Sequence, residues 1–331
     1  MITAFEKATD RVSPRERLAR QFGPTGLALT VAIALFFLGG LIAPGFTTPR
    51  QIASILTITT LLALISLGQT LVVMSGGEGI DLSVGALVTL SAITGAAVMN
   101  SQSESTVNGI VAAVVVCAAV GALTGVGIVL LKLPPLIVTL AMSGVLGGIS
   151  LVLTNGRPPG GPSPALIDFV QQPILLGLPA VTYAVLALAV VVGFVLTRTR
   201  FGKQLLSVGA NRAAARWAGI GVNPTVVLTY CLSGIAGGLG GIVLAGYAGS
   251  VSISIGSQYT LLSIAAVVIG GTALTGGTGS FWGTVSGALM LTVLTALLTA
   301  IDLTPAMRQV CYGLIFLAMV LLYGRQKSLR L

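Results

Sequence analysis

Uncharged apolar runs of about twenty residues, separated by short polar or glycine-rich breaks, recur along nearly the whole chain. A helix of roughly 20 apolar residues crosses the hydrocarbon core of a bilayer. The runs are continuous rather than alternating, which excludes an outer-membrane β-barrel. The pattern predicts spans over 25–43, 52–74, 80–99, 109–131, 136–154, 179–197, 225–248, 258–276, 281–301 and 306–323. The third and fifth are short or broken by glycine, and a weakly polar stretch, 249–256, divides the seventh from the eighth. The predicted fold class is all-α: a polytopic integral membrane protein of about ten transmembrane helices. The first run is too long for the apolar core of a signal peptide and lacks a convincing cleavage site, so it is read as a span.

Between the runs the chain is sparse. Residues 1–22 are polar and basic and read as a cytoplasmic segment at the membrane surface. Residues 23–324 form a single transmembrane domain, and 325–331 a cytoplasmic tail. A proline-rich external loop, 155–178, is expected to hold a short helix near Ala165–Gln171. The longest inner connection is 198–224. No soluble stretch exceeds about 30 residues, which leaves no room for a second, catalytic domain.

Charge then fixes an orientation. Charged residues are 8% of the chain and hydrophobic ones 55%, far from soluble proportions. With the N-terminus inside, 14 of the 17 Lys and Arg fall on inner segments, leaving Arg50, Arg157 and Arg308 outside. That asymmetry follows the positive-inside rule and places both termini in the cytoplasm. The net charge of +9 is thus a topology signal and calls for no nucleic acid. Cys117, Cys231 and Cys311 lie far apart in apolar runs, read as small hydrophobes, and there is no histidine.

Three glycine-rich stretches carry the candidate chemistry. Ser75–Gly85 holds Glu78 and Asp81, the only acids between two closely joined runs. A carboxylate near hydrocarbon needs a function or a local partner. Asp81 suits an N-cap ahead of Leu82 and Ser83, with Gly79 in a tight turn; a direct part in transport is the other, compatible reading. On the inner loop, Asn211 is placed to cap a helix that starts at Arg212, includes Ala214 and Ala215 and ends at Gly219 or Gly221. That helix is either an interfacial one, with Arg212 and Arg216 on lipid phosphates, or a docking element for a cytoplasmic partner. The third stretch, with Gly270, Gly271, Gly276 and Gly277, joins the eighth and ninth spans on the same inner side as the Glu78 turn. Such broken junctions survive at membrane depth where protein or a cavity surrounds them. Small residues at Ser233, Gly237, Gly241, Ala245 and Gly249 read as a helix-packing stripe.

The absences matter as much. None of the four lysines lies in a P-loop, and no zinc-protease or nucleophile-elbow motif occurs. No catalytic residue and no metal site is expected. Span interiors carry no charge, so the relay of an ion-coupled carrier is missing unless Glu78 and Asp81 serve. A pathway without coupling chemistry of its own borrows energy from a partner.

Three segments, Gly79–Gly85, Gly209–Ile220 and Val268–Ser280, give the chain a resemblance to a known family over about residues 25–323. It resembles the permease subunits of bacterial ABC importers for monosaccharides, the ribose, xylose and arabinose type that includes autoinducer-2 permeases. The family usually reads Gly-Gly-Ile-Asp-Leu-Ser in the first segment, where this chain carries an added Glu78-Gly79. The resemblance implies a bacterial inner-membrane protein that pairs with a second permease copy or paralogue. It implies a cytoplasmic ABC ATPase that carries the ATP and Mg, so that this chain binds no cofactor and is no enzyme itself, and a periplasmic sugar-binding protein. It likens the Gly209–Gly219 region to a coupling helix, with Arg212 meeting the ATPase, and implies import by alternating access. A permease for a nucleoside, autoinducer-2 or a branched-chain amino acid is the alternative within transport. A stand-alone ion-coupled carrier is the alternative outside it.

Overall fold

The computed structural model describes residues 14–157 and 160–324. Its helices are α1 (Pro14–Ile42), α2 (Pro49–Met74), α3 (Val84–Met99), α4 (Thr106–Leu131), α5 (Pro135–Thr154), α6 (Pro164–Gln171), α7 (Ala180–Arg198), α8 (Arg200–Ala210), α9 (Arg212–Trp217), α10 (Val222–Ala248), α11 (Tyr259–Ile269), α12 (Phe281–Ala300) and α13 (Pro305–Gly324). An antiparallel pair, β1 (Pro173–Leu175) and β2 (Leu178–Pro179), follows α6 in the outer loop. Among the described residues, seven helices are long and apolar enough to cross a membrane by length and composition, and α3 and α11 are shorter apolar helices. The tail 325–331 and residues 1–13 of the N-terminal segment lie outside the described residues.

Burial sorts these helices into a centre and a rim. In the apolar stretch of α2 89% of the residues are buried inside the protein and in that of α10 61%, against 17% in α1 and in α5. The rim helices α1, α4, α5 and α7 turn Leu41, Leu130, Val152 and Phe194 outward, as lipid-facing helices do. The centre is close-packed because its residues are small. A Cβ on Gly68 would press on Ser233, one on Gly237 would touch Leu87, and one on Gly241 would overlap the Val88 carbonyl. Gly234 likewise closes on Cys117 and Gly121 of α4. The stripe beginning at Ser233 therefore packs helices, except Gly249, which lies beyond α10 as its left-handed C-cap.

Several boundaries differ from the sequence pattern. The third span, drawn over 80–99, is helical only from Val84, since residues 80–83 are a non-helical lead-in in which Asp81 and Ser83 are buried. The eighth, drawn over 258–276, is an eleven-residue helix ending at Ile269, where the glycine-rich stretch begins. Apolarity alone cannot separate helix from buried turn in these places. The loop after α10 folds inward: Gly256 N–H donates to Thr89 Oγ1 (3.0 Å) and Gly85 N–H to Thr260 Oγ1 (3.2 Å). The first turns of α3 and α11 thereby meet inside the protein. The inner connection contains a second helix, α8, ahead of the one that the Asn211 cap predicts. The outer helix expected near Ala165–Gln171 is α6, capped by Ser163, which accepts from Leu166 N–H (3.3 Å).

Candidate functional site: the inner glycine junction

The site begins where α2 must stop. After Met74 the chain runs through three residues with left-handed φ: Gly76 (+67°), Gly77 (+65°) and Glu78 (+59°). The glycines adopt this freely, while Glu78 carries the strain at the exposed tip of the turn. Side chains at Gly76 and Gly77 are also excluded by neighbours. A Cβ on Gly76 would overlap the Gly209 carbonyl, and one on Gly77 the Arg212 guanidinium. Gly276 (φ +84°) closes on Gly76 from the other side, and Gly277 N–H donates to the Met74 carbonyl (3.0 Å). A Cβ on Gly209 would overlap that same carbonyl. The end of α2, the end of α8 and the 270–280 connection thus meet backbone to backbone.

Arg212 clasps this junction. Its Nη2 donates to the Gly76 carbonyl at 3.1 Å, leaving the side chain half-buried. Burial lowers its pKa, with the Tyr230 hydroxyl opposing and Arg216 adding to that effect. The guanidinium turns toward the junction because the carbonyl of the left-handed turn offers it an acceptor. The exposed residues of α9 are Ala213, Ala214, Arg216 and Trp217, the last 92% exposed. Asn211 caps α9 as expected, accepting from Ala213 N–H (2.9 Å) and Ala214 N–H (3.0 Å). Ala215 is buried in a cluster with Val208 and Tyr230, and Gly219 (φ +76°) follows the helix end in the open.

Beyond the turn the chain re-enters the protein and delivers Asp81 to a polar cradle. Its Oδ1 accepts from Ser83 N–H (2.9 Å) and Ser83 Oγ (2.5 Å), and its Oδ2 from Ser233 Oγ (2.9 Å) on α10. Oriented to satisfy both groups, the Gln69 amide donates to the Asp81 carbonyl (3.1 Å) and accepts from its N–H (3.3 Å). Thr139 on α5 accepts from Leu82 N–H (3.1 Å) and donates to the Ile80 carbonyl (3.2 Å). Asp81 is 1% exposed. It is not the N-cap of α3; that position is Ser83, and Asp81 closes an Asx turn just before it. Gly79 is needed because a Cβ there would meet the Val72 and Gly76 carbonyls.

Glu78 and Asp81 therefore do not share a site, one being exposed at the tip and the other sealed among hydroxyls. Gly270 and Gly271 also stand apart from the three-way contact, packing on Gly283 of α12 and on Pro24 of α1. The pattern gave no reason to single out Gln69 or Thr139, isolated polar residues within apolar runs. Their only signal is a hydrogen-bonding side chain in a stretch otherwise suited to lipid.

Apolar helices of membrane-spanning length around a packed centre, with a glycine loop held at the inner end, define a polytopic membrane protein. The chain matches the family described as the permease component of branched-chain amino acid transport systems over residues 51–320, and it belongs to that family. It is 31% identical over 324 residues to the ribose import permease protein RbsC of Escherichia coli, covering 96% of this chain and 99% of that one. It is 34% identical over 301 residues to the autoinducer 2 import system permease protein LsrC of Klebsiella pneumoniae, covering 91% of this chain and 86% of that one. LsrC of an Enterobacter is 32% identical over 301 residues. No solved structure matches the chain.

Proposed function

We propose that this multi-pass inner-membrane permease imports a monosaccharide-like solute by alternating access, powered by a separate ATPase docked at its inner face. The class of solute is supported by relatives that import ribose and autoinducer 2. The observation that carries the mechanism is the Arg212–Gly76 hydrogen bond, which ties a short helix at the inner surface to the loop bearing buried Asp81. Alternating access needs a bistable element that both sides bias. A rigid helix joined to a re-entrant loop by one clasp and glycine-to-glycine contacts has that character. Exposed Arg216 and Trp217 give α9 a surface for the ATPase, which holds the ATP and Mg. A second copy or paralogue would complete the membrane pathway, and a periplasmic sugar-binding protein would deliver the solute.

A stand-alone carrier using Glu78 and Asp81 has less support, because the two carboxylates lie in unlike environments. The deciding experiment purifies the tagged chain in mild detergent and identifies what accompanies it. A P-loop subunit at two nucleotide sites per two permeases, with uptake into proteoliposomes only when ATP is supplied, is the expected result. Uptake by this chain alone would overturn the proposal.

A further inference from the structure

Two buried donors near the junction have no acceptor among the described residues: Nε of Arg212 and the hydroxyl of Tyr230. Such groups are costly to leave unpaired, and each calls for an explanation. Tyr230 is 1% exposed. It shares a packed cluster with Val208 of α8 and Ala215 of α9, and it lies one helical turn before Ser233, whose hydroxyl holds Asp81 Oδ2. Tyr230 thus stands on α10 between Ser233, which binds Asp81, and α9, which begins at Arg212. Asp81 Oδ2 accepts one hydrogen bond, from Ser233, where a carboxylate oxygen has two lone pairs, leaving one position open.

The unmet groups match one another in number and kind. We infer that Tyr230 is a positioning residue for transport: in a second state of the junction Arg212 Nε–H donates to the Tyr230 hydroxyl, which donates to the open site on Asp81 Oδ2. Every group in this ladder then has a partner, whereas in the state described here two donors (Arg212 Nε–H and Tyr230 O–H) and two acceptors (the Tyr230 oxygen and one position on Asp81 Oδ2) do not. The ladder would link α9, where the ATPase docks, to the re-entrant loop through a side chain of α10 that touches neither surface. It forms as α9 moves toward α10, and its energy biases the loop toward the state that ATP stabilises. This inference rests on the importer reading above.

The test uses the full importer with Tyr230→Phe, which removes the hydroxyl alone. In the state described here that hydroxyl makes no bond, so the melting temperature of the resting permease should be unchanged or slightly raised. The ATP- and vanadate-trapped complex should lose stability, and ATP-driven uptake should fall about tenfold, the worth of one hydrogen bond to a charged group. Ser233→Ala, which leaves both ends of the ladder in place, should reduce uptake less. Wild-type uptake and trapped-state stability in Tyr230→Phe would overturn the ladder, as would equal losses of stability in both states, the mark of a purely structural role. A wild-type permease that needs no ATPase would instead overturn the importer reading and take the ladder with it.

Discussion

The inner junction makes a steric prediction at Gly209. A methyl group there would overlap the Met74 carbonyl and stand 2.5 Å from the Gly277 nitrogen and 3.1 Å from its Cα. Those are the two ends of the Gly277–Met74 hydrogen bond of 3.0 Å, so Gly209→Ala drives a wedge into it. Both neighbours are backbone and cannot rotate away. Overpacking of this kind costs about 1–3 kcal/mol. The lost hydrogen bond adds about 0.5–1.5 kcal/mol. At about 2 °C per kcal/mol, the lower end for long chains, the detergent-solubilised protein should melt roughly 3–9 °C lower. The control is Gly147→Ala on α5, where a Cβ meets nothing within 4 Å. Removing a mid-helix glycine there should stabilise by about 0.5–1 kcal/mol. Thermal unfolding followed by intrinsic fluorescence reads both variants. A Gly209→Ala protein that melts with the wild type, or a Gly147→Ala protein that falls as far, would refute the three-way contact.

Asp81→Ala leaves the fixed Ser83 N–H without its acceptor, a loss of about 1–3 kcal/mol, and should lower both yield and uptake. Unchanged yield and uptake would reduce the motif to turn chemistry. Asn211→Ala removes the cap of α9 and should cost about 1 kcal/mol. Its mark should be weaker copurification of the ATPase, with little change in the melting of the membrane domain. Thr70→Val breaks the 2.8 Å hydroxyl pair with Thr284 that joins α2 to α12, and about 1 kcal/mol of stability should go with it. A variant as stable as wild type would show that the pair is replaceable.

The membrane character of the chain was legible because it depends on local composition. The helices of α2, α4, α5, α7, α10 and α12 fall within a few residues of the runs that predicted them. The cap at Asn211 was legible too, since capping is settled within three residues of sequence. What misled the pattern were stretches where chain buried in protein is as apolar as chain buried in lipid. Residues 80–83, with Asp81 and Ser83 buried, are of that kind, whereas α8 is an amphipathic helix that buries Leu205 and Val208.

Sequence alone thus set the solvent of each segment, the runs that suit hydrocarbon and the turns that only glycine can make. Tertiary structure decided which glycines touch: Gly76 meets Gly209 and Gly276, residues more than 130 positions away, while Gly270 and Gly271, next to the same loop, pack elsewhere. It also decided that Asp81 is held by Ser83 and Ser233 rather than capping a helix, and that Arg212 turns inward. The physical reason is that a missing side chain or an open lone pair states a need without naming the partner. Only the packing of distant helices brings the carbonyl or hydroxyl that meets it.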